Sequence, residues 1–364
     1  MQKYSRILIN PNFLCRSLTG IERFALETCS RLDKLLDGSI EFLIPLPANA
    51  KTKPEFKNIK IIPLSNEIKS FPKWDIIEFP RLLKKYKAQA LSFSNTAPLG
   101  KKTGLSFIHD IYPKDCPEDF SNFKGKLISL YSCFHYKNIC KNARMIFTVS
   151  EFSKQRISQV YKCPLEKIVV IPNGWEHIKS INEEVFSENS DFLKKGTFYF
   201  TLGSLQKRKN LRWIARYAKE HPEEKFAISG KIVSGFESED IENLKNLPNV
   251  LLLGYVSDQQ VKYLMKNCRA FIFPSYYEGF GIPPLEALAS GTKIVVGNAA
   301  SLPEIYGKTA IYIDPDNTNC NLSKMTDSFN PCQEDIENVL NEYSYDKAAK
   351  KLYTSILKIN SGAE

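Results

Sequence analysis

The sequence lacks the features that mark a membrane-spanning, disulfide-bonded or zinc-binding protein. It contains no apolar run of about 18 residues or more, which a membrane-spanning helix needs. Its nine cysteines include no Cys-x-x-Cys pair and no zinc-ligand spacing. The segment Met1–Arg6 leads into a short apolar strand and has no signal-peptide pattern. We therefore expect a cytoplasmic protein whose cysteines are packing residues.

Positive charge is concentrated in the first half of the chain, within a net charge of +10. Residues 1–180 hold 29 Lys and Arg against 16 Asp and Glu, whereas residues 181–364 hold 21 against 24. This asymmetry indicates an anionic partner for the first half. A membrane surface or a phosphate-bearing acceptor is favoured over nucleic acid, because no nucleic-acid-binding motif is recognisable. A lysine-rich surface that only confers solubility remains the alternative.

Two stretches of alternating strands and helices predict an α/β protein with two domains. The alternation favours mostly parallel sheets covered by helices. A polar stretch at about 176–195 interrupts it, residues 316–332 read as a loop, and two helices end the chain. We expect an N-terminal domain over 1–178, completed by the last helix at about 345–364, and a second domain over 179–344.

A strand-to-helix connection in the second domain carries two glutamates. The apolar run Ala270–Phe273 predicts a buried strand, and Pro283 and Pro284 suit the first turn of a helix. Glu278 lies between them beside a Gly-x-Gly turn, and Glu286 follows about two helical turns later. Open α/β sheets bind ligands at such strand ends, where a carboxylate can hold sugar hydroxyls and a helix start attracts phosphate. A tight connection with two solvated acids is the alternative.

Three consecutive cations precede another predicted helix of the second domain. Lys207, Arg208 and Lys209 follow a strand that ends at Leu202 and come directly before a helix predicted from Asn210. Charge, helix dipole and backbone amides all attract an anion at such a place. The sequence therefore predicts a phosphate site here, with a solvated surface loop as the alternative.

The first half offers two weaker candidates. Gly20 follows the first predicted strand and opens a helix, where a missing side chain lets the backbone approach a ligand closely. His109 and Asp110 stand at the end of a strand predicted from Leu105. A histidine at a strand end also serves to cap backbone groups, so both interpretations of His109 remain open.

These motifs together resemble glycosyltransferase family 4, the retaining, nucleotide-sugar-dependent enzymes of the GT-B fold. The resemblance extends over nearly the whole chain and is strongest from Gly254 to Pro315. It implies two Rossmann-like domains that face each other across a cleft, with the C-terminal helix crossing back to the first domain. The motifs that carry it are Gly254-Tyr255-Val256, Pro274-Ser275, Glu278-Gly279-Phe280-Gly281, Pro284-x-Glu286-Ala287, Leu302-Pro303-Glu304, Val149-Ser150-Glu151-Phe152-Ser153 and Ile171-Pro172-Asn173-Gly174.

The resemblance also implies a role for each candidate residue. Glu278 would contact the donor-sugar hydroxyls, Glu286 the nucleotide ribose, and His109 the sugar near its reacting carbon. Arg208 and Lys209 would neutralise the diphosphate. The other implied contacts are Gly20 with the diphosphate, the backbone amides of Phe280, Gly281 and Ile282 with sugar and phosphate, the backbone around Tyr255 and Val256 with the base, and Asp110 with the acceptor.

One position departs from the family pattern. Many members have arginine directly after the glycine that Gly203 matches, whereas this chain has Ser204. Arg208 would then supply the missing charge. The mechanism that the resemblance implies is front-face transfer with retention: fixed cations would stabilise the charge that develops on the departing diphosphate, the departing phosphate would take the acceptor proton, and Glu278 would position the sugar. Because cations replace a divalent ion, we expect no metal and no cofactor beyond the nucleotide sugar as co-substrate.

A helix predicted in the first half of the chain combines aromatic and basic residues, and it bears on the identity of the acceptor. A helix of this kind can lie on a membrane, and a core helix with a solvated lysine face is the alternative. Together with the basic first half, it favours a lipid-diphosphate-linked saccharide at the inner membrane face. The apolar positions at helical spacing are Phe120, Phe123, Leu127, Leu130, Tyr131 and Phe134, interleaved with Lys124, Lys126, Lys137 and Lys141.

Three functions follow from these observations. The leading one is a hexosyltransferase that builds bacterial O-antigen, capsule or exopolysaccharide, with GDP-mannose as first choice of donor and a UDP-sugar or dTDP-rhamnose as alternatives. The second is a non-catalytic nucleotide-sugar-binding protein of the same fold. The third, a nucleic-acid binder, has only the charge in its favour. The presence of His109, Lys209, Glu278 and Glu286 favours the transferase.

Overall fold

The computed structural model describes residues 5–186, 189–203, 206–230 and 243–361. The chain divides into two compact units. The first comprises Met1–Phe120, Lys126–Gly174 and Tyr343–Glu364, and the second comprises Ser121–Gly125 and Trp175–Glu342. The polypeptide therefore leaves the first unit twice, briefly at Ser121–Gly125 and then for Trp175–Glu342, and it ends in the first unit.

The first unit contains a seven-stranded parallel sheet in the order β3-β2-β1-β4-β5-β6-β7. Strands β2 and β3 are added on one side of β1 and strands β4 to β7 on the other, so the strand order reverses between β1 and β4, as in Rossmann-type sheets. Most strands are short, apolar and buried, as expected for parallel strands covered on both faces. Strands β1 to β7 span Arg6–Ile9, Glu41–Leu46, Lys60–Pro63, Gln89–Ser92, Leu105–Phe107, Met145–Thr148 and Ile168–Val170.

The second unit repeats this topology in a six-stranded parallel sheet. Its strand order is β10-β9-β8-β11-β12-β13, so the reversal falls between β8 and β11. The two sheets confirm the predicted class, an α/β protein with two Rossmann-like parts. Strands β8 to β13 span Phe198–Leu202, Lys225–Ser229, Val250–Gly254, Ala270–Phe273, Ile294–Gly297 and Ala310–Ile313.

Thirteen α-helices lie wholly within the described ranges. Two of them begin at side-chain caps: Ser150 Oγ accepts the Ser153 amide at 3.1 Å, and Ser257 with Gln260 forms a capping box. Among the described residues, no helix combines the length and the apolar character needed to cross a membrane. Helices α1 to α13 span Gly20–Leu35, Phe71–Lys73, Phe79–Tyr86, Tyr112–Asp115, Phe123–Asn142, Glu151–Tyr161, Leu211–Glu220, Asp258–Asn267, Ile282–Ala289, Leu302–Tyr306, Leu322–Ser328, Gln333–Glu342 and Tyr345–Ser361.

Both faces of the first sheet are buried, because successive residues of a strand point to opposite sides. Ile7 and Ile9 of β1 pack in one apolar cluster with helices α1 and α13. Leu8, between them, packs in another cluster with helix α3. All three side chains are fully buried. The helices therefore cover the sheet as layers and leave its strand ends as the accessible edge.

The C-terminal helix α13 belongs to the first unit, as the sequence predicts. Its residues Ala348, Ala349 and Leu352 are fully buried in the cluster that also contains α1. Arg31 Nε of α1 lies 3.1 Å from Asp346 Oδ1 at the start of α13. Helix α13, which begins at Tyr345, thus completes the core of a unit whose other strands and helices all end by Val170.

One element differs from the sequence prediction. Residues 316–332 read as a loop, but Leu322–Ser328 forms helix α11. The helix is polar overall and buries little beyond Leu322 and Thr326, so it has no apolar stripe to detect. Its only clear sequence signal is Asn321, whose Oδ1 accepts the Lys324 amide at 2.8 Å.

Candidate active site

The strands at the reversal point of the second sheet lead into the predicted donor-site residues. Strands β8 and β11 are neighbours in the sheet. The loop after β8 enters a short 3₁₀ helix, Lys207–Lys209, and the loop after β11 carries Glu278. Because the strands are parallel, their carboxyl ends meet at one edge, which is where open α/β sheets bind ligands.

The Glu278 carboxylate joins the two loops. Lys209 Nζ donates to Oε1 at 2.7 Å, and Arg208 Nη1 lies 3.4 Å from Oε2. Ser275 Oγ donates to the same Oε1 at 2.7 Å. Glu278 is only 5% exposed, so these contacts are largely shielded from water. We call Glu278, Lys209 and Arg208 the charged cluster.

The charged cluster keeps Glu278 ionised. Burial alone would raise the pKa of the Glu278 carboxyl, because it penalises the charged form. The positive charges of Arg208 and Lys209 and the hydrogen bonds from Lys209 and Ser275 outweigh burial and hold the pKa below its ordinary value of 4.5. A general acid needs a pKa near the working pH. Glu278 is therefore suited to accept hydrogen bonds or balance charge, and not to donate a proton.

Further contacts fasten the cation loop to the glutamate loop. The Tyr276 amide donates to Arg208 O at 3.1 Å. The side-chain amide of Asn210, the next residue after the cations, donates to Pro274 O at 3.0 Å and to Pro315 O at 2.7 Å. Lys209 Nζ also lies 4.5 Å from the centre of the Phe273 ring. The cations are therefore held in place by contacts within the protein itself.

Helix α9 begins where the Gly-x-Gly turn predicts. Gly281 is its N-cap with φ of +87°, a conformation that L side chains rarely adopt. A Cβ atom there would also lie 2.7 Å from Leu302 Cδ2. Tyr306 Oη donates to Gly281 O, which holds the turn in place. The amides of Phe280, Gly281 and Ile282 thus lie at a helix start in the second unit, as predicted.

Glu286 makes a contact that the sequence does not predict. Its Oε1 lies 2.8 Å from His177 Nε2, in the short 3₁₀ helix Glu176–Ser180. Both residues are buried, with exposures of 8% and 7%. His177 therefore fixes the position of one carboxylate oxygen of Glu286.

The first-unit candidates lie apart in sequence but share one neighbourhood. Gly20 is the exposed first residue of α1. His109 is buried after β5, and the Phe24 ring of α1 packs edge-on against it at 5.3 Å. Asp110 Oδ1 accepts the Tyr112 amide at 3.1 Å. The structure thus brings His109 against the helix that Gly20 begins.

His109 is neutral at physiological pH. Burial lowers the pKa of its ring, and the Phe93 carbonyl and the charges of Asp110 and Glu22 only partly offset this. Its Nε2 lies 2.7 Å from Phe93 O, a carbonyl that can only accept, so Nε2 carries the hydrogen. Nδ1 is then a hydrogen-bond acceptor.

The residues expected near the base lie at the end of β10. Tyr255 is 74% exposed, whereas Val256 is buried. Nothing in their geometry assigns a base contact, so that role stays a prediction. Ser204, where the chain departs from the family pattern, lies outside the described residues.

Acidic residues do not gather into a metal site in the described part of the chain. No group of three or more His, Cys, Asp or Glu there could hold a metal ion. The sequence does contain one Asp-x-Asp spacing, Asp314-Pro315-Asp316, directly after β13. Asp314 Oδ1 accepts the Asp316 amide at 2.9 Å, so this pair forms a local turn.

Three residues of the site carried no assigned role in the sequence interpretation. Ser275 contacts Glu278 and is fully buried; it follows a strand end and precedes the glutamate, which is a usable signal. Ser301 Oγ donates to Glu278 O at 3.0 Å, and His177 binds Glu286. Both of these come from distant segments, so no local pattern reveals them.

Two family models match consecutive parts of the chain. The model described as Glycosyltransferase Family 4 matches residues 18–177, and the model described as Glycosyl transferases group 1 matches residues 182–327. Together they span most of the chain, and the second match contains the charged cluster and Glu286.

Characterised relatives are similar over part of their length. The chain is 28% identical over 225 residues to O-antigen chain mannosyltransferase B of Escherichia coli, covering 59% of this chain and 58% of that protein. It is also 28% identical over 225 residues to O-antigen chain mannosyltransferase RfbU of Salmonella typhimurium, covering 61% and 59%. The chain thus spans less than two thirds of the length of these relatives.

Solved structures share the whole fold at low sequence identity. Sucrose-phosphate synthase from Thermosynechococcus elongatus superposes with a TM-score of 0.70 at 14% identity, over 98% of this chain and 99% of that one. WaaG, a glycosyltransferase involved in lipopolysaccharide biosynthesis, superposes with a TM-score of 0.62 at 13% identity, over 98% of both chains. With the two family models and this shared architecture, the chain belongs to the group 1 and family 4 glycosyltransferases and has their GT-B fold.

Proposed function

We propose that the protein is a retaining hexosyltransferase that moves a sugar from a nucleotide sugar to an acceptor. Family membership implies both substrates. The observation that carries the proposal is the charged cluster, in which two cations and one ionised carboxylate lie together at the reversal point of the second sheet. This edge is the ligand-binding place of the fold.

The charged cluster supplies what the departure of a diphosphate requires. As the bond between the sugar carbon and the phosphate oxygen breaks, negative charge builds up on the diphosphate. Lys209 and Arg208 stabilise that charge because they are fixed beforehand in a poorly solvated place. The acceptor oxygen bonds to the same face of the sugar, and its proton passes to the departing phosphate oxygen. Glu278, which stays ionised, accepts hydrogen bonds from the sugar hydroxyls.

Two further residues have atoms suited to the donor. Glu286 has one oxygen bound by His177, which orients the other to accept from the ribose hydroxyls. His109, whose Nε2 hydrogen goes to Phe93 O, offers Nδ1 as an acceptor for a sugar hydroxyl. The roles of Gly20, Asp110, Tyr255 and Val256 rest on the family resemblance alone.

The similarity to O-antigen mannosyltransferases supports mannose from GDP-mannose as the sugar transferred. It also supports an acceptor that is a growing, lipid-linked surface polysaccharide. A UDP-sugar or dTDP-rhamnose is the alternative donor. The excess of positive charge in residues 1–180 suits the diphosphate of such an acceptor and the anionic inner face of a membrane.

A nucleotide panel followed by a product assay tests the proposal. The purified full-length protein is heated with GDP-, UDP- and dTDP-sugars, and the unfolding temperature is recorded. The stabilising donor is then incubated with a lipid-diphosphate-linked saccharide, and the anomeric configuration of the product is read by NMR. We expect stabilisation by GDP-mannose and a product that retains the donor's configuration.

Two outcomes contradict the proposal. If no nucleotide sugar raises the unfolding temperature, the charged cluster is not a donor site. If the product has inverted configuration, the mechanism is wrong. Stabilisation without turnover on any acceptor of the panel favours a non-catalytic nucleotide-sugar-binding protein.

A further inference from the structure

A buried carboxyl group lies where the strand order of the first sheet reverses. Asp75 is fully buried in a π-helical turn, Trp74–Glu78, and such turns are frequent at functional sites. Its Oδ1 accepts hydrogen bonds from the side-chain amides of Asn10 and Asn12 at 2.8 and 3.0 Å, and its Oδ2 accepts from the Thr96 hydroxyl at 2.8 Å. Asn10 directly follows β1, and Thr96 lies in the loop after β4. The carboxyl group therefore joins the two strand ends at the reversal point.

The three partners of Asp75 are neutral groups. Among the described residues, no cation forms an ion pair with it, although a buried charge without such a partner is costly. A carboxylate can accept about four hydrogen bonds, and three are made here. Oδ2, with one of these bonds, can therefore accept a further donor.

Polar atoms without partners gather around this carboxyl group. Asn12 Oδ1, Tyr131 Oη and His135 Nε2 are buried and make no hydrogen bond with the described residues. Tyr131 and His135 lie one turn apart on α5, and their rings meet edge to face at 4.5 Å. Burial raises the pKa of Tyr131 to about 12, and the nearby charge of Asp75 contributes to this rise. We call Asn12, Asp75, Tyr131 and His135 the Asp75 cluster.

The His135 ring presents a hydrogen-bond donor to the Asp75 cluster. Burial lowers the pKa of the ring, and the charge of Asp75 only partly offsets this, so the ring is neutral at physiological pH. The Ala97 amide donates to Nδ1 at 3.3 Å, which places the ring hydrogen on Nε2. Buried polar groups are normally paired. Three unpaired atoms beside one carboxyl group therefore indicate a partner that binds from outside the chain.

A hydroxyl group fits this mixture of donors and acceptors. It donates one hydrogen bond and accepts two, so it can pair with the Asp75 carboxyl group and with the Tyr131 or His135 donor at once. A phosphate fits poorly, because it would bring negative charge against Asp75. The cluster thus suits a neutral, hydroxyl-bearing ligand such as a saccharide.

The loop after β4 connects the Asp75 cluster to His109. Asn95 Oδ1 accepts the His109 backbone amide at 2.8 Å, and the next residue, Thr96, donates to Asp75. His109 Nε2 in turn lies 2.7 Å from Phe93 O in the same loop. A ligand in the cluster would therefore lie beside the residue proposed to contact the donor sugar.

We propose that the Asp75 cluster binds one hydroxyl of the sugar that receives the transferred hexose, and selects the acceptor by that sugar and not by its phosphate. The inference rests on the proposed function, which supplies a saccharide acceptor. The unpaired atoms are closed to water in this structure, whereas the Tyr131 side chain is partly exposed. The Tyr131 side chain therefore rotates to admit the hydroxyl.

Ligand-observed NMR with the full-length protein tests the site without turnover. The probes are the methyl glycosides of mannose, glucose, galactose and N-acetylglucosamine, which carry neither phosphate nor lipid. We expect one of them to bind. Tyr131→Phe and His135→Asn should each weaken its binding by about three- to tenfold, the equivalent of one hydrogen bond. His135→Asn removes Nε2 but keeps a side-chain acceptor for the Ala97 amide.

Tyr161→Phe is the matched control. Tyr161 Oη is also buried and makes no hydrogen bond with the described residues, and it lies in the first unit outside the Asp75 cluster. We expect this variant to bind the glycoside like the unaltered protein. Because neither hydroxyl has a partner to lose, the unfolding temperature should not fall in Tyr131→Phe or Tyr161→Phe. Stabilisation by GDP-mannose should be the same in both.

Deoxy analogues identify the hydroxyl that is bound. Each hydroxyl of the binding glycoside is replaced by hydrogen in turn. One analogue should bind the unaltered protein as weakly as Tyr131→Phe binds the parent glycoside. The same analogue should bind both proteins equally, because the two changes remove the same contact.

Three results would overturn the proposal. The first is that no glycoside binds. The second is equal binding by Tyr131→Phe, His135→Asn and Tyr161→Phe, which would mean that the cluster holds a buried water only. The third is a loss in Tyr131→Phe that simply adds to the loss from every deoxy analogue. Binding that depends on Tyr131 without stabilisation by any nucleotide sugar would support this site and contradict the proposed function, so the two failures are distinguishable.

Discussion

Removing the charge of Lys209 tests the charged cluster most directly. In Lys209→Met the buried Glu278 carboxylate loses its 2.7 Å partner and keeps Arg208 at 3.4 Å and the Ser275 hydroxyl. Breaking a buried ion pair costs about 3–5 kcal/mol, because one charge is left uncompensated. Since Arg208 remains, we expect a loss at the low end, about 3 kcal/mol of unfolding free energy. Turnover should fall by about 10²–10³, as when one preorganised donor to a developing charge is lost.

A double-mutant cycle shows whether this loss comes from the pair. Glu278→Gln combined with Lys209→Met removes both charges, so we expect the double variant to be more stable than the sum of the two single losses predicts. Its turnover should stay low, because the cation and the sugar contact are both gone. Urea unfolding measures stability, and the product assay measures turnover. Lys207→Met is the matched control, since Lys207 is an exposed cation of the same short helix.

Simple addition of the two single losses would show that Lys209 and Glu278 do not act as a pair. An equal loss of stability or turnover in Lys207→Met and Lys209→Met would show that the position of the cation does not matter. The pH dependence of the unfolding free energy gives an independent test. Without Lys209, burial should raise the pKa of Glu278, so the stability deficit of Lys209→Met should shrink as the pH falls and the carboxyl takes up a proton.

Three further predictions concern the surroundings of the cluster. In the unaltered protein the folded pKa of Glu278 lies below 4.5, so its contribution to stability is present above pH 4.5 and lost as the pH falls through the lower value; Glu278→Gln should flatten this part of the curve of unfolding free energy against pH. His177→Ala should raise the KM for the donor by about tenfold or more with kcat little changed, since a hydrogen bond to the Glu286 carboxylate is lost. His177→Gln should recover part of the lost affinity through its amide donor. A lower kcat at unchanged KM would contradict the positioning role. Gly297→Ala would place a Cβ atom 2.4 Å from Ser275 O, so chemical denaturation should show a loss of about 1–3 kcal/mol, and full stability would mean that the loop shifts freely.

Local patterns were sufficient for most strands and for the donor-site loops. Phe198–Leu202 and Ala270–Phe273 are short apolar runs because parallel strands are buried on both faces, and the structure places both strands as predicted. The proline pair and Gly281 predict the start of α9 because few residues suit the backbone conformations found there. Strand ends then locate the cations and Glu278.

Contacts between distant segments could not be found in this way. His177 lies in a polar stretch that reads as a linker, and its partner Glu286 is 109 residues away. Ser301 reaches the Glu278 carbonyl from a separate turn. Helix α11 could not be predicted from the sequence because its capping asparagine is its only strong signal. Helix α5 shows a different limit, since helical spacing predicts an apolar face but not whether another element covers it, and Leu127, Leu130 and Phe134 are more than half exposed.

The charged cluster also determines which anions can enter the proposed donor site. Glu278 already occupies Lys209 and Arg208, and it is tethered at contact distance, so it acts at a high effective concentration. Chloride or inorganic phosphate must displace this internal carboxylate, and the two cations are the main contacts that either anion would gain. In the proposed complex, a nucleotide sugar would also contact the protein through its ribose, base and sugar, and Glu278 would accept hydrogen bonds from the sugar instead of competing for the cations. On this proposal, Glu278 would favour binding of a whole nucleotide sugar over binding of its anionic fragments.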